Sequence, residues 1–293
     1  MWTMAIRRID HLDLDLDALV AVKGGRTTSV CLPARNEAAT VAEIVSRIAA
    51  HPLVDEVVVV DDHSTDATGA EAAAAGATVV SAPEVLAEYG DGPGKGQALW
   101  KAVAMSRGDI VAFCDADLRD FAPHFVTGLL GPFLLDPDLA FLKAYYRRPT
   151  GDGAPRGGGR VTELVARPVL TLLFPELADV VQPLAGEFAA RRDVFEALPF
   201  VEGYGVDIGL LIDAARLCGT EHLAQVDLGV RVHRNRPLHE LGPMATIVLL
   251  TALQRAGVDD LPIDVVLDRP DLRPAPVHYA ERPPLNSIDT LLR

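Results

Sequence analysis

Ile110-Val111-Ala112-Phe113-Cys114-Asp115-Ala116-Asp117 is a continuous apolar run that ends in two carboxylates one residue apart. Such a run reads as a strand buried on both faces, and in open α/β sheets ligands gather outside the carboxyl ends of these strands. Two carboxylates at that place can hold a divalent cation through hard oxygen donors, and the cation can bridge a diphosphate. The same acidic pair is common in solvated turns, so its meaning rests on what neighbouring strands deliver beside it.

Working outward, Glu56-Val57-Val58-Val59-Val60-Asp61 is a second strand of the same kind. It runs into Asp62-His63-Ser64-Thr65-Asp66, which can cap an Ala-rich helix over 67–75. Residues 28–33 read as the first strand, broken by Pro33, and 37–50 as a helix from the spacing of Val41, Ile44, Val45 and Ile48. A third strand follows at 77–81, then a Gly-rich loop at 90–96 and a helix over 97–106. Strands alternating with helices at this spacing predict an α/β fold with a parallel sheet and right-handed crossovers.

Four parts follow. Residues 1–27 are an acidic lead-in with room for a brief amphipathic helix. Residues 28–147 are a nucleotide-binding α/β part, with a further strand at 138–146. Residues 148–261 hold a Gly/Pro-rich loop at 149–159, a helix over 162–174 kinked at Pro168, and an extended stretch at 186–190. Asp193 then caps a short helix, and 206–217 (helix), 224–232 (strand) and 244–256 (apolar helix) complete this part. From 262 to 293 the density of Pro and charge predicts an irregular tail lying on the surface or on a partner subunit.

The 293 residues are 49% hydrophobic and carry a net charge of -14. That balance argues against nucleic acid as a partner, because phosphate-backbone binding requires basic surface. Cys31, Cys114 and Cys218 sit in apolar segments and read as buried reduced thiols, as in the cytoplasm. No apolar segment reaches the length of a membrane span, the N-terminus is unlike a signal peptide, and no basic amphipathic helix suggests a membrane surface.

Several residues beyond the acidic pair are chemically suggestive. Pro33-Ala34-Arg35-Asn36-Glu37 closes the first strand at the same sheet edge and suits a base and ribose, although an acidic first helical turn looks alike. Ser64, Thr65 and Asp66 are accounted for by capping, which leaves Asp62 to accept a hydrogen bond from a ring N–H. Lys95, between Gly94 and Gly96, has a backbone free enough to bring an ammonium to a phosphate or ribose oxygen; a solvated lysine is the plain alternative.

Leu32-Pro33-Ala34-Arg35-Asn36-Glu37, Val59-Val60-Asp61-Asp62-His63-Ser64-Thr65-Asp66, Gly94-Lys95-Gly96-Gln97-Ala98-Leu99-Trp100 and Asp115-Ala116-Asp117-Leu118 together resemble the GT-A glycosyltransferases. Those enzymes use a nucleotide-sugar donor and an Asp-x-Asp metal site. Gly159-Arg160-Val161-Thr162-Glu163-Leu164, Pro183-Leu184-Ala185-Gly186-Glu187, Glu202-Gly203-Tyr204-Gly205-Val206-Asp207 and Arg231-Val232-His233-Arg234-Asn235-Arg236-Pro237-Leu238 are similar to the glucosyl-3-phosphoglycerate and mannosyl-3-phosphoglycerate synthases. The likeness runs from about Ser29 to Ala256.

The resemblance implies a parallel-rich GT-A sheet flanked by helices, with a helical acceptor-binding part. It implies retaining transfer of glucose from UDP-glucose to the 2-hydroxyl of 3-phosphoglycerate, with Mg2+ or Mn2+ held by Asp117 and His233. Leu184 and Glu187 would stand with these two at the reacting centre, Glu187 shaping the site or binding sugar rather than acting as a covalent nucleophile. Donor contacts would fall on Pro33, Ala34, Asn36, Glu37, Asp62, Lys95, Asp115, Ala116, Leu184, Ala185, Gly186, Tyr204, Asp207, Arg231 and Arg236. Acceptor contacts would fall on Gly159, Arg160, Val161, Thr162, Arg231 and Asn235, basic and amide-rich as a phosphorylated carboxylate requires.

Asp207 departs from the glutamate frequent at that position and is one methylene shorter. The family's dimers imply a homodimer. Three other readings stay open: mannosyl transfer from GDP-mannose, nucleotidyl transfer, and a non-catalytic nucleotide-sugar sensor.

Overall fold

The computed structural model describes residues 5–118, 121–147, 159–231, 237–270 and 272–288. In chain order its strands are β1 (Arg7–Asp10), β2 (Thr28–Ala34), β3 (Glu56–Asp61), β4 (Thr78–Ser81), β5 (Ile110–Phe113), β6 (Phe141–Arg147), β7 (Phe188–Arg191), β8 (Phe200–Val201), β9 (Leu223–Val230), β10 (Asp264–Leu267), β11 (Ala275–His278) and β12 (Glu281–Arg282). Its α-helices are α1 (Leu16–Lys23), α2 (Val41–Ala49), α3 (Thr68–Ala74), α4 (Lys95–Met105), α5 (His124–Leu135), α6 (Arg167–Leu173), α7 (Arg192–Ala197), α8 (Val206–Cys218) and α9 (Gly242–Arg255).

Eight strands form one sheet in the order β1-β9-β6-β7-β5-β2-β3-β4. All its pairings are parallel except those of β7, which runs against both β5 and β6. The apolar runs are continuous because both faces are covered. Val58, Val60, Val111 and Phe113 point into a core with α4 and α8, while Val57, Val59, Ile110 and Ala112 point into a core with α2 and α5. The period of two thus divides one strand between two cores. Consequently the carboxyl ends of β2, β3 and β5 lie side by side, and their following loops form one edge.

Several elements differ from the sequence-based expectation. The lead-in contributes an edge strand, β1, which pairs in parallel with β9 from Arg7↔Ala224 to Asp10↔Asp227. Its four residues are largely exposed, so no buried alternation marks it. Pro33 does not end β2: it sits in register with Val60, and the strand continues to Ala34. Helix α2 begins at Val41, after a turn.

Around Pro168, a π-turn over Thr162–Ala166 precedes α6 and places Pro168 in the first turn of that helix. A proline there has no N–H to donate and crowds the carbonyl four residues back, which the wider turn accommodates. Asp193 does not cap α7; the N-cap is Arg191, and Asp193 lies in the first helical turn, ion-paired with Arg191 at 3.1 Å. The Gly/Pro-rich loop falls on residues outside the described set, apart from Gly159.

The tail is not irregular throughout. β10 and β11 form an antiparallel hairpin, and β12 pairs with β8. The hairpin lays Val265 and Val277 over Ile247 and Leu250 of α9, and Trp100 of α4 donates its indole N–H to the Pro283 carbonyl at 2.8 Å. Short strands separated by prolines carry too few alternating residues to be read as strands; their pairing partners are supplied by distant chain.

The three cysteines are free thiols, and burial pushes Cys31 up to about 12. Among the described residues no helix is long and apolar enough to cross a membrane.

His51, buried in the connection from α2 to β3, accepts the Leu53 amide on Nδ1 at 3.3 Å and meets the Thr127 hydroxyl through Nε2 at 3.0 Å. An accepting Nδ1 means a neutral ring, and burial pushes its pKa from 6.5 down to about 4. Between those values the unfolded chain binds a proton that the folded chain does not, so stability falls as the pH drops through that window. Urea unfolding followed across this range is expected to show the decline in the parent and a shallower one in His51→Gln. Identical slopes would remove His51 as the cause.

Candidate active site

The edge begins with a tight weave of loops. Asn36, at φ 58° in the left-handed region that asparagine tolerates, donates its amide to Ser64 Oγ at 3.0 Å and accepts the Thr65 amide on Oδ1 at 2.8 Å. Glu37 N donates to Thr68 Oγ1, and Thr40 Oγ1 donates to the carbonyl of buried Ala116 at 2.7 Å. The loops after β2, β3 and β5 are thereby joined to one another. Ala34, at the end of β2 beside Pro33, accepts the Asp62 amide at 2.8 Å.

Asp62 is buried, accepts the Gly94 amide at 3.1 Å and bonds His63 Nδ1 at 3.0 Å. It therefore holds the Gly-rich loop. Lys95 is also committed: its ammonium donates to both oxygens of Asp207, at 3.1 and 3.2 Å, and lies 3.7 Å from Asp115 Oδ1. Burial acts to lower the Lys95 pKa, but Asp207, Asp115 and Glu187 outweigh it and raise it above the ordinary lysine value. Rather than a free arm, Lys95 is an ionic tie between the start of α4 and the start of α8.

Arg231, just after β9, is the second tie and is 2% exposed. Nη1 meets Glu187 Oε1 at 2.8 Å, and Nη2 reaches Asp115 Oδ2 at 3.1 Å and Asp117 Oδ1 at 3.4 Å. The guanidinium also lies 5.1 Å from the centre of the Tyr146 ring. Burial acts against its charge, but Glu187 above all, with Asp115 and Asp117 among the others, holds it well above the ordinary arginine value. A Cβ at Gly186 would collide with the Asp115 carboxylate, so the absent side chain leaves room for that carboxylate between Lys95 and Arg231. The neighbouring Leu184 and Ala185 are half-buried and buried.

Lys143 of β6 belongs to the same cluster and escaped the sequence reading. Its ammonium is buried 3.8 Å from Asp207 Oδ1, donates to the Asp207 carbonyl at 3.4 Å and lies 4.4 Å over the Phe188 ring. Burial, then the neighbouring Lys95, push its pKa down to about 8 against the pull of Asp207. The signal was present in the sequence: a lysine inside the apolar run Phe141-Leu142-Lys143-Ala144 needs a buried partner.

Of the residues expected to act, the structure brings together Asp115, Asp117, Lys95, Asp207, Glu187, Gly186 and Arg231, with Asn36, Glu37 and Asp62 in the adjoining loops. Gly159, at φ 70°, opens the π-turn and accepts the Glu163 amide at 2.8 Å; Val161 and Thr162 are buried and Arg160 half-buried. Tyr204 lies partly exposed in the turn before α8. His233, Asn235 and Arg236 lie outside the described residues.

Asp115 and Asp117 offer hard oxygen donors of the kind a divalent cation takes. Asp117 presents a carboxylate whose side chain is 49% exposed, beside Asp115 at 26%. Burial, then the charges of Asp117, Asp66 and Asp115, raise the Glu37 pKa beside them. Among the described residues no group of three His, Cys, Asp or Glu forms a complete ligand set. The third ligand expected from the resemblance, His233, is outside them.

Comparison with known proteins identifies the family. Residues 29–198 match the model of glycosyl transferase family 2. The glucosyl-3-phosphoglycerate synthase of Mycolicibacterium paratuberculosis is 48% identical, over 92% of this chain and 87% of its own length. That of Mycobacterium tuberculosis is 51% identical, over 83% and 77%. The crystal structure of the M. tuberculosis enzyme with Mn2+, UDP-glucose and phosphoglyceric acid superposes with a TM-score of 0.84 at 47% identity, covering 93% of this chain and 94% of that one. Its complex with Mg2+ and UDP gives 0.86 at 45%, covering 96% and 98%.

The sheet is thus the GT-A sheet, and the chain belongs to glycosyl transferase family 2 and, within it, to the glucosyl-3-phosphoglycerate synthases.

Proposed function

We propose that this chain transfers glucose from UDP-glucose to the 2-hydroxyl of 3-phosphoglycerate with retention of configuration. The observation that carries the reading is the convergence of Asp115, Asp117, Lys95, Asp207 and Arg231 at the carboxyl edge of the sheet. The M. tuberculosis relative, similar over nearly the whole chain, binds Mn2+, UDP-glucose and phosphoglyceric acid together.

In this reading residues 28–147 hold the donor and 148–261 the acceptor. Pro33, Ala34, Asn36, Glu37 and Asp62 face the base and ribose, with Asp115 and Ala116 beside them. Leu184, Ala185, Gly186, Tyr204 and Asp207 surround the sugar, and Arg231 and Arg236 the diphosphate. Asp117 and His233 hold Mg2+ or Mn2+, which when bound supplies positive charge opposite the leaving diphosphate. The acceptor oxygen bonds to the anomeric carbon as the bond to the diphosphate oxygen breaks, and a diphosphate oxygen takes the acceptor proton, so no protein nucleophile is required. Glu187 is fully buried and paired with Arg231, which favours a shaping role over covalent attack.

Gly159, Arg160, Val161, Thr162, Arg231 and Asn235 form the acceptor subsite. Removing the charged hydrogen bonds of Arg160 in Arg160→Ala is expected to raise the 3-phosphoglycerate KM by roughly 10- to 100-fold, with the UDP-glucose KM little changed. Equal effects on both would sink that assignment. The reading as a whole is tested by a matrix of UDP-glucose and GDP-mannose against 3-phosphoglycerate and glycerol 3-phosphate, with and without Mg2+ or Mn2+. Preference for GDP-mannose would make this a mannosyl transferase, and release of pyrophosphate would make it a nucleotidyl transferase.

A cytoplasmic homodimer completes the reading. Free thiols support the compartment. The dimer rests on the resemblance, because the chain's own hairpin covers Ile247 and Leu250 of α9. Light scattering reads the oligomer directly.

A further inference from the structure

The C-terminal hairpin and β12 have no part in the transfer as described, yet β12 reaches the segments that lead into α4 and α8, the helices whose first turns carry Lys95 and Asp207. Arg282 Nε donates to Gln97 Oε1 at 2.6 Å, and its Nη2 is paired with Glu202 Oε1 at 2.5 Å. Gln97 in turn donates from Nε2 to the Gly90 carbonyl at 2.6 Å, which Lys101 also bonds at 3.0 Å. Only one orientation of the Gln97 amide satisfies both contacts, so Arg282 and Gly90 fix it between them. Gly90 is the first residue of the Gly-rich loop and has φ 114°; a Cβ there would lie 2.6 Å from Arg282 Nη2.

On the other side, Glu202 donates its backbone amide to Ala280 at 2.9 Å and precedes the turn that starts α8 at Val206. The arm bearing Arg282 is itself anchored before and after that residue. Arg255 pairs with Glu281 and, at 2.7 Å, with Asp213, and Trp100 bonds the Pro283 carbonyl. The ion pair from Lys95 to Asp207 joins the starts of α4 and α8 at 3.1 Å.

We propose that β12 is a clasp on the donor site and that Arg282 is its positioning residue, one guanidinium setting the distance between the loop leading to Lys95 and the turn leading to Asp207. A planar fork with donors in fixed directions suits this task, whereas a lysine ammonium offers a single point. The consequence for catalysis rests on the proposed donor role of Asp207 and on the one the resemblance implies for Lys95. The mechanical link does not.

Two measurements on Arg282→Met separate these. Backbone amide exchange is expected to quicken in residues 90–97 and 202–207 and to stay parental in 41–49, whatever the protein transfers. In steady-state assays the UDP-glucose KM is expected to rise roughly 10-fold or more while the 3-phosphoglycerate KM stays within about twofold, as a misplacement near 1 Å would cause. Arg26→Met serves as the control: Arg26 bonds the carbonyls of Val22, Phe133 and Leu134 and touches neither loop, so it should lower stability without changing the ratio of the two KM values. Parental exchange in both segments overturns the clasp, and so does a KM ratio in Arg282→Met no different from that of Arg26→Met. A parent that does not turn over UDP-glucose overturns the functional reading instead, and the exchange result then decides the clasp alone.

Discussion

Asp117→Ala is expected to lower metal-dependent transfer by about 10^3-fold, the scale of losing a preorganised charge opposite a leaving group, while leaving the fold intact. The side chain is half exposed, and its contact with Arg231 is the longest of the three that Arg231 makes with carboxylates. Little folding free energy therefore depends on it. Asp115 differs: it is shared by Lys95 and Arg231 and fills the space left by Gly186, so Asp115→Ala disturbs packing as well as charge. Transfer rates across Mg2+ and Mn2+ titrations, with Mn2+ binding followed separately by water proton relaxation, check the claim. Near-parental turnover of Asp117→Ala in Mg2+ would end the metal assignment.

Arg231→Met carries the largest expected effect on stability, a loss of about 3–5 kcal/mol. Glu187 is wholly buried, and its cationic partner at 2.8 Å is this guanidinium. Removing the cation leaves a carboxylate that burial already pushes toward its protonated form. The double variant Arg231→Met/Glu187→Gln removes the charge that the single variant strands, and should recover most of the loss. Urea unfolding of the two single variants and the double completes the cycle. A single-variant loss below about 1 kcal/mol, the scale of an exposed pair, would mean that the pair is hydrated rather than buried.

The central strands were legible because each is buried on both faces. β3 and β5 therefore appear as unbroken apolar runs, and their ends mark the site edge. β1 was not legible: an edge strand of four mostly exposed residues has no apolar signature, and its stability comes from β9, more than two hundred residues away. The tail failed for the same reason, since β12 exists by pairing with β8. Of the site residues, Lys143 was readable in principle from a charge inside an apolar strand.

By itself the sequence determined the alternating α/β order, the sheet edge at Asp115 and Asp117, and the family, because these depend on local periodicity and on motifs contiguous in the chain. Only the tertiary structure decided what those residues hold. Lys95, read as an arm toward phosphate, is tied to Asp207 from a helix more than a hundred residues later, and Arg231 binds three carboxylates from two strand ends. Charges pair through space, and their low-dielectric setting comes from a core assembled across the whole chain.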